Sequence, residues 1–410
     1  MQSDIVIIGG GIGGCALATR LAHAGLAVTV LERDVEYRDV VRGAAMVPWG
    51  FREASELGVA DTIVQTDGVS VMTRMVPYDE GLDVAEAQRL SRDLSGVIPG
   101  APGVIGVGHP ELRQSLATAA EKAGATVVRG IQRTAIEAGA RPTVTYHVDG
   151  VTRTERCRLI VGADGKGSAT RAALGITLSA TRERARLSGM LVDDGGVWDR
   201  AETAISVDGR NQFIVIPRAD NRLRLYVGRG IADPEPIKGR TAAADLLAAY
   251  RTPIFPNHDA LADATPIGPC ATFPMNDSWT DTPVVSGGAL TGDAAGRSNP
   301  VTAQGLSITM RDARMLSEAL LSNTEWTPRT LAGYAAERTE RMARLRFASA
   351  LTDLLTAFGV PDRTVRRARM LKLLKRNPEL GAALEAVHSG PWVAPASAYS
   401  PDIITTLALA

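Results

Sequence analysis

Directly behind the short apolar run Asp4–Ile8 (DIVII) stand five glycines in six residues, Gly9-Gly10-Gly11-Ile12-Gly13-Gly14, and nothing else in the chain restricts its fold so strongly. The run is β-branched and stops at glycine, Ile12–Ala24 carries small and apolar residues suited to a helix, and Ala27–Leu31 (AVTVL) reads as strand again. The result is a strand-turn-helix-strand unit of minimal size. Within it Gly9, Gly11 and Gly14 form G-x-G-x-x-G, with Ile12 and Gly13 completing the turn. Gly9 permits the tight turn, Gly11 admits a pyrophosphate to the helix N-terminus, and Gly14 lets helix and sheet approach. Glu32, 23 residues beyond Gly9, ends the second strand where a carboxylate accepts from a ribose diol and disfavours a 2′-phosphate. Arg33 follows it. These residues predict a dinucleotide-binding site.

Charge excludes other classes. The 410 residues hold 45 Lys plus Arg against 45 Asp plus Glu, so the chain lacks the basic excess a nucleic-acid binder needs. With 45% hydrophobic and 22% charged residues, disorder is not expected and a core of more than one domain is. Cys15, Cys157 and Cys270 have no paired spacing, which argues against disulfides, a thiolate metal site and the C-x-x-C of disulfide reductases, and for a reducing, cytoplasmic setting. Cys15 reads as a packing residue. No basic leader and no apolar run of membrane-spanning length is present, so a soluble protein is expected, as monomer or homodimer.

Two further motifs follow. Leu159–Gly165 (LIVGADG) leads into Ser168, Arg171, Leu174 and Gly175; Ala289–Ala295 (ALTGDAA) leads into Pro300, Gln304, Gly305, Asp312 and Ala313. In the latter an apolar run ends in Gly292-Asp293, and Gln304-Gly305 opens a long helix whose N–H groups and dipole point at a ligand, while Asp293 is placed to bond a hydroxyl. Together and in this order the three motifs resemble the class A flavoprotein monooxygenases, the p-hydroxybenzoate hydroxylase family.

The resemblance covers roughly residues 1–325 and implies an α/β fold: a Rossmann-like FAD-binding domain, an inserted antiparallel sheet domain for substrate, and a C-terminal helical region. It implies that Asp164, Gly165, Arg171, Gly292, Asp293, Pro300, Gln304 and Gly305 hold FAD, with Arg42 and His109 nearby. His109 stands where the family usually has Arg or Gln. Gly296 replaces the usual histidine of GDAAH, and Ala303 replaces a glycine that lies against the flavin. The implied reaction uses NADPH or NADH as a transient donor and a flavin C4a-hydroperoxide to oxygenate an electron-rich carbon, which requires no dedicated catalytic side chain.

Alternating strands at Arg186–Asp193, Glu202–Val207, Gln212–Pro217 and Arg222–Gly228 predict an antiparallel sheet, which Val69–Val76 could join. The FAD-binding domain is expected at 1–68, 94–178 and 271–330, the sheet domain at 69–93 and 179–270, and helices at 331–410, where the Arg-rich stretch 339–376 reads as a cap with a solvated face. Leu191, Phe213, Val215, Tyr226 and Met275 are the candidate pocket residues; Arg224 and Tyr226 could orient or deprotonate a phenolic substrate, and no residue stands out as general base. The apolar bias points to an aromatic or similar hydrophobic substrate, with O2 as co-substrate. Competing readings are an alkene reductase of the geranylgeranyl-reductase type and a flavin-binding protein without turnover.

Overall fold

The computed structural model describes residues 2–41, 43–360 and 362–409. The chain begins as expected: β1 (Ile5–Ile8), α1 (Ile12–His23) and β2 (Val28–Glu32), the strands parallel and paired Ile5 to Val28 through Ile8 to Leu31. Both strands are buried on both faces, as continuous apolar runs in a parallel sheet must be. Then α2 (Pro48–Leu57) and α3 (His109–Lys122) lead to β3 (Thr126–Arg129), parallel to β2, and β4 (Leu159–Gly162) returns to the other side of β1. Between β3 and β4 lies a three-stranded antiparallel sheet, residues 134–156, that the sequence reading passed over.

The chain leaves for a larger sheet built on β5 (Ala185–Asp193), β6 (Glu202–Asp208), β7 (Asn211–Pro217) and β8 (Arg222–Gly230), all antiparallel neighbours in the order β5-β8-β7-β6. Helix α4 (Ala242–Ala249) covers its outer side, and β9 (Ala271–Met275) pairs with β5. The chain re-enters the first sheet as β10 (Gly288–Leu290), parallel to β4. Helices α5 (Gly305–Leu321), α6 (Ala332–Thr356) and α7 (Arg363–Arg376) follow.

Residues 69–76 divide instead of joining one sheet. Ser70–Met72 pairs with Val104–Gly106 in a small separate sheet, and only Arg74–Val76 enters the large one, parallel to β6. The Arg-rich stretch is likewise not a uniformly solvated cap. Arg341 is fully buried, and so is Arg338 just ahead of it, both because acidic partners lie beneath them.

Two cores meet on the large sheet. The inner one joins Ala185, Leu187, Ile214, Ile216, Tyr226 and Met275 to Val41, Val47 and Trp49 of the layer built on β1 and β2. The outer one packs Met190, Val192, Phe213, Val215, Leu225 and Val227 against Leu246, Tyr250 and Phe255. Period-two alternation assigns the faces: 214, 216 and 226 inward, 213, 215 and 225 outward.

Candidate functional site

Strand order alone brings the three motifs together. In the order β10-β4-β1-β2 the four central strands are parallel, so the loops that leave their carboxyl ends all emerge on one edge, the place where open α/β sheets bind ligands. Backbone bonds tie the loops to one another. Gly9 N donates to Leu31 O (2.8 Å), Ala163 N to Ile8 O (2.8 Å) and Thr291 N to Gly162 O (3.0 Å).

The glycines of the first motif fall into two kinds. A Cβ on Gly14 would collide with the Gly9 carbonyl oxygen, and one on Gly9, at φ +108°, with Ala163 O; these are close-packing positions. A Cβ on Gly11 would meet nothing within 4 Å, so the backbone there faces open space. Helix α1 starts at Gly11 with no side-chain cap and no acidic residue in its first turn, leaving its end positive. Ile12 is buried and anchors that turn.

Glu32 is buried at the end of β2; its Oε1 accepts from Asp34 N (2.8 Å) and its Oε2 lies 3.2 Å from Arg113 Nη2. Arg113 stacks 4.0 Å over the Tyr37 ring, and Tyr37 donates to Gly10 O (2.9 Å). Sequence reasoning missed Tyr37 and Arg113, which no local pattern marks. Arg33 extends into solvent beside Asp34, with its side chain 83% exposed. His109 opens α3 with Nε2 2.6 Å from Gly43 O. Arg42 lies outside the described residues.

Asp164 organises its own turn: Oδ1 accepts from Ser168 Oγ (2.5 Å), and Oδ2 from Thr170 N and Oγ1 (3.0 Å each). Gly165 turns the chain at φ +75°. Arg171 then staples the second motif to the third, with Nη1 donating to Ala294 O (3.0 Å) and Nη2 to Lys166 O (3.2 Å).

The third motif forms a tight turn, Gly292–Ala295, that presents the half-buried Asp293. Arg338, from α6, holds this turn by its carbonyls: Nη1 donates to Ala295 O (3.1 Å), and Nη2 to Gly292 O (3.3 Å) and Gly296 O (3.2 Å). Its Nε bonds Asp312 Oδ2 (3.0 Å), which also accepts from Gly292 N (2.8 Å), while Arg341 Nη2 takes Asp312 Oδ1 (2.5 Å). Burial alone would raise the Asp312 pKa; the two guanidinium groups hold it below the carboxylate range.

Pro300 starts a second turn, Pro300–Thr302, and Gln304 caps α5. The Gln304 side chain is committed to protein: Oε1 accepts from Trp49 Nε1 (2.9 Å), and Nε2 donates to Thr302 O (2.5 Å) and Val387 O (2.9 Å). Its contribution to a ligand is therefore through placement of the Gly305 end of α5, which has no side-chain cap and no acid in its first turn. Gly296 sits at φ +116°, and a Cβ there would meet Ser278 O and Trp279 Cα, so no histidine fits. Ala303 adopts φ +52°, a conformation favoured by glycine.

Of the pocket candidates, Leu191, Tyr226 and Met275 take the inner face of the large sheet. Phe213 and Val215 do not. They point outward, where the Phe213 ring lies 4.9 Å from Tyr250 and 5.2 Å from Phe255. β7 is buried along both faces, so an apolar run gave no sidedness, and Ile214 and Ile216 hold the inner positions instead. Gly189, opposite Tyr226 in register, makes room for the phenol ring over β5. Burial raises the Tyr226 pKa, so it stays protonated and is no base at neutral pH. Arg224 is buried on the same face; Nη2 donates to Asp39 Oδ2 (2.5 Å), while Nε and Nη1 have no hydrogen-bond partner among the described residues.

Among the described residues no His, Cys, Asp and Glu cluster suits a metal ion, and no helix is long and apolar enough to cross a membrane. Cys15 is buried, its thiol pushed up to about 12 by burial and then by the charge of Glu32.

A family model described as FAD binding domain matches residues 2–348. Squalene epoxidase of Schizosaccharomyces pombe is 42% identical over 67 residues, 16% of this chain and 15% of that protein. The chain thus matches well under two thirds of that relative's length. Ubiquinone hydroxylase of Rhodospirillum rubrum is 26% identical over 381 residues, covering 89% of this chain and 84% of the other. Among solved structures, p-nitrophenol 4-monooxygenase of Pseudomonas putida superposes with a TM-score of 0.77 at 16% identity, covering 95% of this chain and 98% of that one, a likeness of fold.

Proposed function

The chain belongs to the FAD binding domain family, and on that premise we propose that it is an FAD-dependent monooxygenase. In this reading it consumes NADPH or NADH and transfers one oxygen atom of O2 to an aromatic or similar hydrophobic metabolite. The observation that carries the reading is the convergence of the three loops on one sheet edge beneath a face that presents Arg224 and Tyr226.

The residues fit the cofactor. Gly11 faces open space at an uncapped helix start, suited to the pyrophosphate, and Glu32 ends β2 where a ribose diol binds. Asp293 in its turn suits the ribityl chain, and the uncapped Gly305 end of α5 suits an electron-rich ring edge. When bound, the flavin supplies the redox chemistry and the activation of O2.

The chain's own work is placement and exclusion of water. Leu187, Ile214, Ile216 and Met275 give the inner face a dry, apolar floor, which favours a hydrophobic substrate. Nε and Nη1 of Arg224, without a partner among the described residues, are free to meet an acceptor oxygen of a substrate, and the protonated Tyr226 is no base for it. Ubiquinone and p-nitrophenol, named for two of the similar proteins, are ring compounds of that kind.

The test is oxygen uptake and donor oxidation by the FAD-loaded protein over an aromatic library, with isotopically labelled O2 tracing the product. Substrate-stimulated uptake with one labelled atom in the product is expected. Donor oxidation that proceeds without O2 overturns the reading in favour of a reductase.

A further inference from the structure

Asn299 stands at the corner of the loop that joins the Asp293 turn to α5, and two acids grip it from opposite sides. Its backbone N donates to Asp277 Oδ1 (2.9 Å), and its Nδ2 donates to Asp353 Oδ2 (2.8 Å). Its own Oδ1 accepts from Val301 N (3.1 Å), capping the Pro300–Thr302 turn. Asn299 is itself buried, so all three bonds are made away from water. Pro300 has no N–H, Ala303 sits at φ +52°, and the loop's regular backbone bonding is one short 3-10 turn, Pro300–Thr302, closed by Ala303 N donating to Pro300 O (3.0 Å), so further bonds must fix it. The side-chain bracket does so, helped by Ser349 Oγ, 3.3 Å from Thr302 Oγ1. One bracket atom is left over: Asp353 Oδ1 is buried without a partner among the described residues.

The charges around the bracket do not neutralise it. On the Asp277 side, Arg346 stacks 4.1 Å over the Trp279 ring with Nη1 buried and without a partner among the described residues, and Arg297 is held by Asn276 Oδ1 (2.5 Å) and Pro274 O (3.3 Å). Asp281 and Arg338 act on Arg346, and Arg184 faces Asp353. Burial lifts the Asp277 pKa to about 6, against the Asn299 N–H, Arg346 and Arg297. Burial and then the Asp277 charge lift Asp353 to about 7, against Arg184 and Asn299. Two carboxylates held by the backbone N–H and the side-chain amide of one residue in a dry site share a proton, since burial and mutual repulsion both oppose the doubly ionised pair.

We propose that Asp353 and Asp277, bridged by Asn299, are positioning residues that couple a shared proton to the placement of loop 299–304, so that loss of this proton loosens the hold on FAD. The proton rides on Asp353 Oδ1, the oxygen that accepts no bond among the described residues. The proposal rests on the FAD reading above, and names neither a base for the reaction nor a contact to substrate.

The sign follows from linkage. Both folded pKa values are raised, so the folded chain holds protons that the unfolded chain has released, and stability falls as pH rises from about 4 to about 7. The experiment measures FAD affinity by flavin fluorescence quenching, and melting of the apoprotein, from pH 5.5 to 8.5 for wild type, Asp353→Asn and Asn299→Ala. Asparagine at 353 keeps an acceptor for Asn299 Nδ2 without the charge. Wild type is expected to lose about tenfold in FAD affinity across the range, as one shifted proton of about one pKa unit dictates. Asp353→Asn should lose that step and bind at high pH as wild type does at low pH, while Asn299→Ala should bind weakly throughout. Overturning results are an Asp353→Asn slope parallel to wild type in both readouts, or equal loss of affinity at every pH. If wild type takes up no FAD at any pH, the cofactor reading falls and the coupling with it, while a melting slope flattened by Asp353→Asn still identifies the proton-sharing pair.

Discussion

Arg338 Nε donates to Asp312 Oδ2 across 3.0 Å, and both side chains are at most 1% exposed. The pair belongs to a chain of charges that continues through Arg341, Glu337 and Arg311 to Glu53. Its outward product is the shape of the Gly292–Ala295 turn, whose carbonyls Arg338 holds. Asp312→Ala should destabilise the fold by about 3–5 kcal/mol, because it removes the carboxylate that opposes the buried Arg338 and one of the two that oppose the buried Arg341. The depressed Asp312 pKa gives the pH sign: its contribution is present above the ordinary carboxylate range and is lost as pH falls through the folded value. Denaturant melts of wild type and variant should converge in acid; equal separation at every pH would refute the assignment.

Gly11→Ala and Gly14→Ala separate binding from folding. The new methyl at 11 meets nothing within 4 Å, so the apoprotein should melt as wild type while FAD affinity falls by tenfold or more, about 1.4 kcal/mol. At 14 the methyl strikes the Gly9 carbonyl oxygen, so the fold itself should weaken. Equal melting temperatures for the two variants would contradict this division.

The two positions that differ from the family pattern should respond oppositely to the family's residue. Ala303→Gly relieves a left-handed alanine, a strain of about 1 kcal/mol that the greater freedom of unfolded glycine partly offsets, so stability should rise slightly or hold. Gly296→His places a side chain against Ser278 and Trp279 at φ +116° and should cost more than about 3 kcal/mol. Thermal melting of the two variants side by side decides it.

Face assignment on β7 and β8 is testable in the same way. Phe213→Ala empties the outer core and should destabilise by about 3–5 kcal/mol while leaving substrate affinity intact. Arg224→Gln should leave melting nearly unchanged and raise KM for oxygen-bearing aromatics. A KM effect in Phe213→Ala comparable to that in Arg224→Gln would show that the faces are misassigned.

Cys15 should resist thiol reagents in the native protein, since burial keeps it a thiol at neutral pH, and react only on unfolding. Rapid native labelling at Cys15, read by peptide mapping, would contradict its placement.

The parts legible in the sequence were those where local chemistry dictates conformation. Glycine runs between β-branched strands gave β1, α1 and β2; Gly292-Asp293 and Gln304-Gly305 gave the turn and the helix behind it. The antiparallel strands were visible through their turn residues. What stayed hidden depended on long-range pairing. Arg338 and Arg341 look like any surface arginines on an amphipathic helix until Asp312 is placed beneath them. The sidedness of Phe213 was invisible because both faces of β7 are dry. Tyr37 and Arg113 reach Gly10 and Glu32 from irregular chain and from α3, where no periodicity announces them.

The grip of Arg338 on the Asp293 turn reaches across more than forty residues of chain. During synthesis, all three glycine-bearing loops therefore emerge before the side chain that secures the last of them. The edge proposed to seat the coenzyme is thus completed late, once α6 clears the ribosome and docks.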